Sequence, residues 1–394
     1  MAFARAITTM GLSQVMSFLG IYVVETRGYP AWSYGLIALV ANLGQSLSNA
    51  WAGSLSDRIG RRPLITTSLF VRSVVVALIG VQILLDAPLW TLAVNMIANA
   101  TLRGCFEPVA YALVGDVVRD DQRVSAFGIQ RMGTNLGWAI GPALGGVLTL
   151  VIPYGAVFLI AGAATALAGV VTLRVEDPAR PAAQRATSDP ALRATLRSGL
   201  RDPALRLLLL GTFLCALLET QMFSTLAIYA TTRLSLTKAD VGLLYSINGT
   251  GVLILQMPVL ALIRRLGIAR VLPWASLIDA LGFALIGFAS GFTGIALAMF
   301  TLTCAEVLFD PAQQTAVAEI ADPAHRGRTF GVVGFASMIG IAIAPLIGGV
   351  LFDTIGTHRV AMWLAIAVFG IGQTACFAAF VRQRARRPPL GTPA

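Results

Sequence analysis

Long apolar segments follow one another along the whole chain, and this feature most restricts how the chain can fold. About 20 apolar residues in a helix span the hydrocarbon core of a bilayer, and a helix satisfies its own backbone hydrogen bonds there. We therefore predict an all-α polytopic membrane protein. Its twelve spans lie at about 4–25, 33–56, 63–85, 89–115, 124–150, 153–174, 205–231, 238–263, 269–290, 292–319, 327–352 and 358–381.

The composition agrees with a membrane protein and argues against other classes. Charged residues make up 12% of the chain and the mean hydropathy is +0.77, whereas soluble domains carry about 25% charged residues. The segments are too long for the short alternating strands of a barrel. The first span begins almost at the first residue and lacks a small-residue cleavage site, so we expect no removed signal peptide.

The distribution of positive charge predicts the orientation. With the N-terminus inside, 22 of the 29 Lys and Arg residues, Arg5 among them, fall in cytoplasmic segments, 4 fall in outer loops and three fall within spans. This bias predicts that both termini lie in the cytoplasm. We expect the chain in the inner or plasma membrane of a bacterial cell. The net charge of +10 matches this orientation and anionic lipid headgroups, so we predict no nucleic-acid partner.

A polar, Pro- and Arg-rich segment at 175–204 divides the spans into six and six. We predict an N-terminal six-helix bundle at 1–174 and a C-terminal bundle at 205–394. Leu192, Leu196 and Leu200 recur every four residues beside arginines. This spacing favours a short helix on the cytoplasmic surface, and a solvated linker is the equal alternative.

The two halves repeat each other. "SQVMSFLGIY" aligns with "TQMFSTLAIY" at an offset of 207 residues, and residues 106–148 match the stretch 203 positions later at 14 of 43 positions. Both halves begin on the same side of the membrane, so the repeat is parallel, about an axis along the membrane normal. Alternating-access carriers are built this way, with the substrate site between the halves near the midplane.

The loop between spans 2 and 3 carries a spaced pattern of glycines and charges. It reads "GSLSDRIGRRPLI" and contains Gly53, Asp57, Arg58, Gly60, Arg61 and Arg62. An acid at the membrane edge is costly unless it is paired, and an ordinary cytoplasmic loop would not require this spacing. At this loop the sequence resembles the major facilitator superfamily, whose fold consists of two pseudo-symmetric six-helix bundles.

The resemblance implies a conformational latch. Asp57 would meet the N-terminal end of span 11 near Gly331, where a carboxylate is favourable. Arg61 would pair with an acid at the end of span 4, a role that fits Asp116. These contacts would hold the two halves in the outward-open state. The second half keeps Gly267 but has Arg264 in place of the acid, so a second latch is weakened or absent.

Span 5 contains a glycine-rich face. The stretch "GWAIGPALGGVL" supplies a smooth, kinkable surface for another helix, and span 11 repeats it as "GIAIAPLIGGVL". It matches a motif associated with proton-coupled antiporters of this superfamily, although generic helix packing is the alternative. The motif residues are Gly137, Gly141, Pro142, Gly145 and Gly146.

Ionisable residues inside spans mark functional sites by default. Arg103 and Glu107 are one turn apart on the same helix face and can neutralise each other. The repeat maps them onto Glu306 and Asp310. Two neighbouring acids do not both ionise readily, so we predict that Asp310 carries the coupling proton and Glu306 tunes it. Pairing of Glu306 with a helix neighbour is the alternative.

Candidate substrate-binding residues come from spans 1 and 7. Glu219 is an acid within an apolar span, and the repeat pairs Gln14 with Gln221 and Tyr22 with Tyr229. Arg72 and Asp279 also map onto each other with opposite charge. For these two, structural pairing and a role in transport both stay open.

The ends of spans 4 and 10, each with an acid followed by Pro, resemble the twelve-helix multidrug:proton antiporters. The resemblance implies a monomeric, proton-driven exporter of lipophilic, cationic small molecules that works by alternating access, without a cofactor or metal. The alternative is proton-coupled uptake of a small solute such as a peptide or metabolite, although span 1 lacks the Glu-x-x-Glu-Arg cluster of peptide symporters. No nucleophile–base pair, metal spacing or nucleotide loop was found in the sequence, so we expect no enzyme activity.

Overall fold

In the described part of the first half, the chain forms six long helices. The computed structural model describes residues 2–119, 122–175, 202–321 and 326–385, which are almost entirely helical. A π-helical turn at Tyr22–Thr26 extends the first helix. The helices are α1 (Ala2–Ile21), α2 (Ala31–Ile59), α3 (Arg61–Leu84), α4 (Leu89–Val117), α5 (Arg123–Val151) and α6 (Tyr154–Thr172).

The described residues of the second half form seven helices, two of which together cover one predicted span. Ser224 interrupts the seventh predicted span and divides it into α7 and α8. The helices are α7 (Pro203–Phe223), α8 (Thr225–Leu234), α9 (Lys238–Leu266), α10 (Ile268–Phe288), α11 (Phe292–Ile320), α12 (Arg326–Ile355) and α13 (Arg359–Ala385).

The all-α fold class predicted from the sequence is confirmed. Each predicted span corresponds to helix in the structure, and the boundaries agree to within about four residues. Ten segments of the described chain are long and apolar enough to cross a membrane. The helices α2 and α4, each of 29 residues, occupy the two remaining predicted spans. The cytoplasmic location of the termini stays a prediction, and the predicted surface helix lies outside the described residues.

Contacts group the chain into two compact units. The first unit contains α1–α6 together with Phe223–Gly249 and Pro345–Val350. Among the described residues, the second unit contains 202–222, 250–344 and 351–385. Segments from both halves of the repeat therefore pack inside the first unit. The predicted division into bundles at 1–174 and 205–394 stays a prediction.

In the first unit, α3 packs against α6 and α4, α1 against α5 and α6, and α2 against α4. A core of Ile65, Leu69, Phe106 and Leu113 lies where these helices meet. Large apolar side chains on the outer faces are exposed, such as Trp51 at 72%. In a membrane these faces contact lipid, because lipid tails are as apolar as the side chains and do not drive their burial.

In the second unit, α10 packs against α11 and α13. Its core contains Leu208, Leu272, Phe309 and Phe377. The Phe309 and Phe377 rings meet edge to face, with their centroids 5.1 Å apart. This contact joins α11 to α13 at a level adjoining the acid–Pro step of α11.

Two close backbone approaches inside the first unit are related by the repeat. A Cβ atom added to Gly35 of α2 would clash with the carbonyl of Pro345. A Cβ atom added to Gly242 of α9 would lie 2.5 Å from the carbonyl oxygen of Pro142. Glycine at both positions therefore lets the backbone of α2 contact the backbone of α12, and the backbone of α9 contact that of α5. In the predicted orientation, these contacts lie toward the outer ends of the helices.

Candidate functional site

The turn between α2 and α3 has the geometry that its motif implied for Arg61. Gly60 adopts a φ of 95°, a conformation that side chains rarely allow, and Gly267 at the corresponding turn has a φ of 76°. The Arg61 Nη1 atom lies 2.7 Å from Asp116 Oδ2, so the expected pairing of Arg61 with Asp116 is confirmed. Arg62 donates to the Leu173 carbonyl. The contact of Asp57 with α12, and the latch function, stay predictions.

The glycine face of α5 packs on α1. Cβ atoms at Gly137, Gly141 and Gly145 would collide with α1 atoms between Ala6 and Gln14. The Ser13 hydroxyl donates to the Gly137 carbonyl over 2.9 Å. The motif therefore serves close helix packing, as predicted, and its link to antiport stays a prediction.

The first charged cluster is formed by α1 and α4. Arg103 Nε donates to Glu107 Oε1 over 3.1 Å, so the predicted pair is confirmed. Arg5 Nη2 lies 3.9 Å from the same oxygen, and Arg5 Nε donates to Thr134 Oγ1 over 3.0 Å. The Arg5 guanidinium also lies 4.7 Å from the centroid of the Tyr111 ring. Glu107 thus faces two arginines from different helices.

A third arginine completes this cluster. Arg72 on α3 is 3% exposed, and its Nε donates to Asn99 Oδ1 over 2.9 Å. It interacts electrostatically with both Arg103 and Glu107. Arg72 therefore pairs with a neutral amide of its own unit. The structure thus shows Arg72 as a member of this cluster. The choice between structural pairing and a role in transport stays open.

Arg5 was missed by the sequence analysis. It was assigned to the cytoplasmic charges, but its side chain is buried at 6% exposure inside the first unit. The side of the membrane on which Arg5 lies stays a prediction. Its position four residues into an apolar span was the available signal, but the sequence does not show which helix it faces.

The second charged cluster, in the second unit, consists of acids. Glu219 of α7 interacts electrostatically with Asp310, Asp279 and Glu306, and Asp279 of α10 interacts with Glu306 and Asp310 of α11. The side chains of Glu219, Glu306 and Asp310 are half-buried, and Asp279 is 6% exposed. The Cys215 thiol hydrogen-bonds with Glu219. The structure brings together four carboxylates that lie on three helices.

Asp279 is the member of this cluster that the sequence left unassigned. Its Oδ2 atom is buried without a hydrogen-bond partner. Because a buried carboxylate oxygen without a partner is costly, its placement beside other acids calls for a shared proton or cation. The structure therefore groups Asp279 with Glu306 and Asp310, the acids for which proton coupling is predicted.

Apart from Glu219, the predicted substrate-binding residues of spans 1 and 7 are buried in the packing. Gln14 is 2% exposed and Tyr229 fully buried. Gln221 donates to the Ala344 carbonyl over 2.8 Å. Tyr22 lies in the π-helical turn, packs against Tyr154 with centroids 5.7 Å apart and accepts a hydrogen bond from Arg27. Their role in substrate binding stays a prediction.

A row of aromatic rings lies inside the first unit. The centroids of Trp138 and Phe223 are 5.1 Å apart, and those of Phe223 and Tyr245 are 5.2 Å apart. Trp138 and Phe223 are half-buried, while Tyr245 is 2% exposed. This row offers π faces at which an organic cation is favourable.

A multi-span helical fold with an internal repeat and ionisable clusters among its spans defines a membrane transporter of small molecules. The sequence profile of the family described as "Major Facilitator Superfamily" matches this chain over residues 1–305 and 208–394. The chain belongs to the Major Facilitator Superfamily, as its loop motif indicated.

Similar proteins are found in bacteria. The chain is 26% identical over 356 residues to the uncharacterized MFS-type transporter YqjV of Bacillus subtilis (strain 168), covering 89% of this chain and 85% of that protein. It is 25% identical over 385 residues to the multidrug resistance protein MdtH of Escherichia coli (strain K12 / DH10B), covering 93% and 89%.

Solved structures share the fold. The nucleoside transporter NupG matches with a TM-score of 0.78 at 15% identity, covering 96% of this chain and 97% of that one. A bacterial homolog to the human lysosomal transporter Spinster, in an inward-facing and occupied conformation, matches with a TM-score of 0.76 at 17% identity, covering 98% and 97%. At these identities the likeness shows the fold alone.

Proposed function

We propose that the chain is a proton-coupled exporter of lipophilic, cationic small molecules that works by alternating access. The observation that carries the proposal is the group of four interacting carboxylates, Glu219, Asp279, Glu306 and Asp310, in the second unit. Like charges in a low-dielectric interior do not all ionise together. The group therefore stores at least one proton and releases it when its surroundings become more polar.

Asp310 is the proton carrier in this scheme. Pro311 follows it within α11, and a proline inside a helix removes a backbone hydrogen bond and allows bending. Bending of α11 moves Asp310 between different solvation states, whereas Glu306 and Asp279 set how strongly the proton is held. Glu107 at the corresponding position of the first half faces Arg103 and Arg5, so it stays charged throughout the cycle.

Glu219 supplies the charge that attracts the substrate. It belongs to the acid group, so a bound cation and a bound proton compete for the same negative charge. Such competition is the coupling that an antiporter requires. The name of the similar protein MdtH, a multidrug resistance protein, supports export of drug-like molecules.

The alternative is proton-coupled uptake. Solved structures with the same fold include nucleoside and peptide transporters, and the acid–Pro step of α11 and Glu219 of α7 are also compatible with a symporter. The acid group supports proton coupling in both directions of transport. The direction therefore has to be measured.

The test is a transport assay in two parts. Cells without their own drug pumps, expressing the chain, should accumulate less of a cationic dye than cells with the empty vector. In proteoliposomes, dye transport should move protons in the opposite direction, from the compartment that receives the dye into the compartment that loses it. Asp86→Asn serves as the matched control for substitutions in the acid group, because Asp86 is an exposed acid in the α3–α4 loop. Raised dye accumulation, or transport that is indifferent to a pH gradient, would refute the proposal.

A further inference from the structure

The charged cluster of the first unit lines a small, half-open cavity with an excess of positive charge. The cavity volume is about 10 Å³, room for about one water-sized group. Three arginines and one carboxylate line it, beside threonine and apolar side chains. The lining residues are Arg5, Thr8, Thr9, Leu12, Arg72, Arg103, Phe106 and Glu107.

One donor at this cavity has no partner. Arg5 Nη1 is buried and makes no hydrogen bond, although Arg5 Nε and Nη2 are engaged by Thr134 and Glu107. A buried guanidinium donor without an acceptor is costly, and so is a buried charge without a counter-charge. Glu107 offsets one of three guanidinium groups. Both the unpaired donor and the uncompensated charge are relieved by an anion in the cavity.

We propose that Arg5, Arg72 and Arg103 form a binding site for a compact anionic group. The size of the cavity admits a single small anion or one end of a carboxylate, and the arginine forks match carboxylate geometry. The group belongs either to the transported substrate, as a carboxylate on a molecule that also carries a cationic part, or to a free inorganic anion. This inference rests on the proposed function only in assigning the carboxylate to a transported substrate.

The opposite charge of the second half supports the assignment. By the repeat, Arg72 and Arg103 correspond to Asp279 and Glu306, so the acid group attracts cations where the arginine cluster attracts anions. Glu107 lines the same cavity as the arginines. It reduces the positive excess, and this weakens anion binding enough for the anion to be released.

The experiment measures anion binding to the purified full-length protein and needs no transport. The midpoint of thermal unfolding is followed by tryptophan fluorescence while a bulky sulfonate salt is replaced, at constant ionic strength, by sodium chloride or sodium acetate. A ligand that binds the folded state raises the midpoint in a saturable way. Benzoate and its uncharged analogue benzamide form a second matched pair of probes. A rise with acetate and benzoate but not with chloride identifies a carboxylate carried by the substrate, and a rise with chloride as well identifies a free anion.

Two variants change the affinity in opposite directions. Arg5→Gln should weaken the apparent anion affinity by about tenfold or more, because a charged hydrogen bond is lost. Glu107→Gln should strengthen it, because all three guanidinium groups then lack a carboxylate. If Arg5→Gln fails to fold, Arg5→Lys is measured in its place. It keeps the charge and should give an intermediate affinity. Arg270→Gln, at an exposed arginine of α10, should leave the response unchanged.

The proposal is overturned if none of the anions raises the midpoint above that in the sulfonate salt, or if benzamide raises it as much as benzoate does. It is also overturned if Arg5→Gln and Glu107→Gln respond like the wild type. Loss of dye export with an intact anion response would count against the proposed function alone, so the two failures are distinguishable.

Discussion

The first and second halves of the repeat place opposite charges at corresponding positions. Arg72 and Arg103 of the first half correspond to Asp279 and Glu306 of the second, and only the acid of the acid–Pro step, Glu107 or Asp310, keeps its sign. The structure assembles each set into a cluster among the helices, one of three arginines around a carboxylate and one of four acids. The repeat therefore preserves the positions of the charges while changing their chemistry.

This difference shows how a pseudo-symmetric protein can keep a permanently charged carboxylate in one half and a group of acids that share a proton in the other. In the first cluster the carboxylate has cationic partners, so its proton is not needed for stability. In the second cluster the acids repel one another, so a proton stabilises the group and can be exchanged. In the proposed proton-driven cycle, the first cluster supplies a fixed charge and the second supplies an exchangeable one.

The largest expected effect tests the exchangeable site. Asp310→Asn should abolish uphill, proton-driven transport while substrate binding and some downhill exchange remain, because the variant holds no exchangeable proton. Proton flux and dye flux in proteoliposomes check this, with Asp86→Asn as the control. If the variant still pumps against a gradient, the proton is carried elsewhere and Glu219 is the next candidate.

The next effect tests the fixed site. Glu107→Gln should destabilise the protein by about 1.5 kcal/mol, because a charge-assisted hydrogen bond of a half-buried ion pair is lost. Thermal unfolding of the purified variant measures this loss, and Asp310→Asn is the matched comparison at the corresponding position. Asp310→Asn should unfold at or above the wild-type temperature, because it relieves repulsion between acids. Equal destabilisation of both variants would remove the contrast between the clusters.

A smaller effect separates substrate attraction from proton coupling. Glu219→Gln should weaken binding of cationic substrates by about tenfold, because a desolvated charge interaction of about 1.5–3 kcal/mol is lost. Binding of a neutral substrate of the same shape should change little. Dye-binding titrations with a cationic and a neutral dye decide this. An equal loss for both dyes would assign Glu219 to packing or to proton coupling.

The smallest effect concerns the loop motif, where the halves also differ, since Asp57 of the first half corresponds to Arg264 of the second. Asp57→Asn should slow transport several-fold at equal expression, because the interaction of a carboxylate with a helix N-terminus is worth roughly 0.3–2 kcal/mol. Such an energy shifts the populations of the inward- and outward-facing states. Arg264→Gln should have a weaker effect. A wild-type rate for the Asp57 variant would exclude the latch.

The spans could be predicted from sequence because the signals are local. Lipid solvates each apolar segment separately, so length and hydropathy locate the helices to within about four residues. The pair Arg103–Glu107 was also predictable, since residues four apart share a helix face. The interruption at Ser224 was not predicted. The apolar pattern continues unbroken across that position, so hydropathy gives no signal there.

The sequence by itself determined the helices, the repeat, the family motifs and the charged pair within α4. The tertiary structure decided that Arg5 meets Glu107 across about a hundred residues of chain, that Arg72 donates to Asn99, and that Asp279 joins Glu306 and Asp310. The physical reason is that helical periodicity fixes the neighbours of a side chain on its own helix alone. The neighbours on other helices depend on which helix faces pack together, and that choice is set by many small contacts such as those of the α5 glycines with α1.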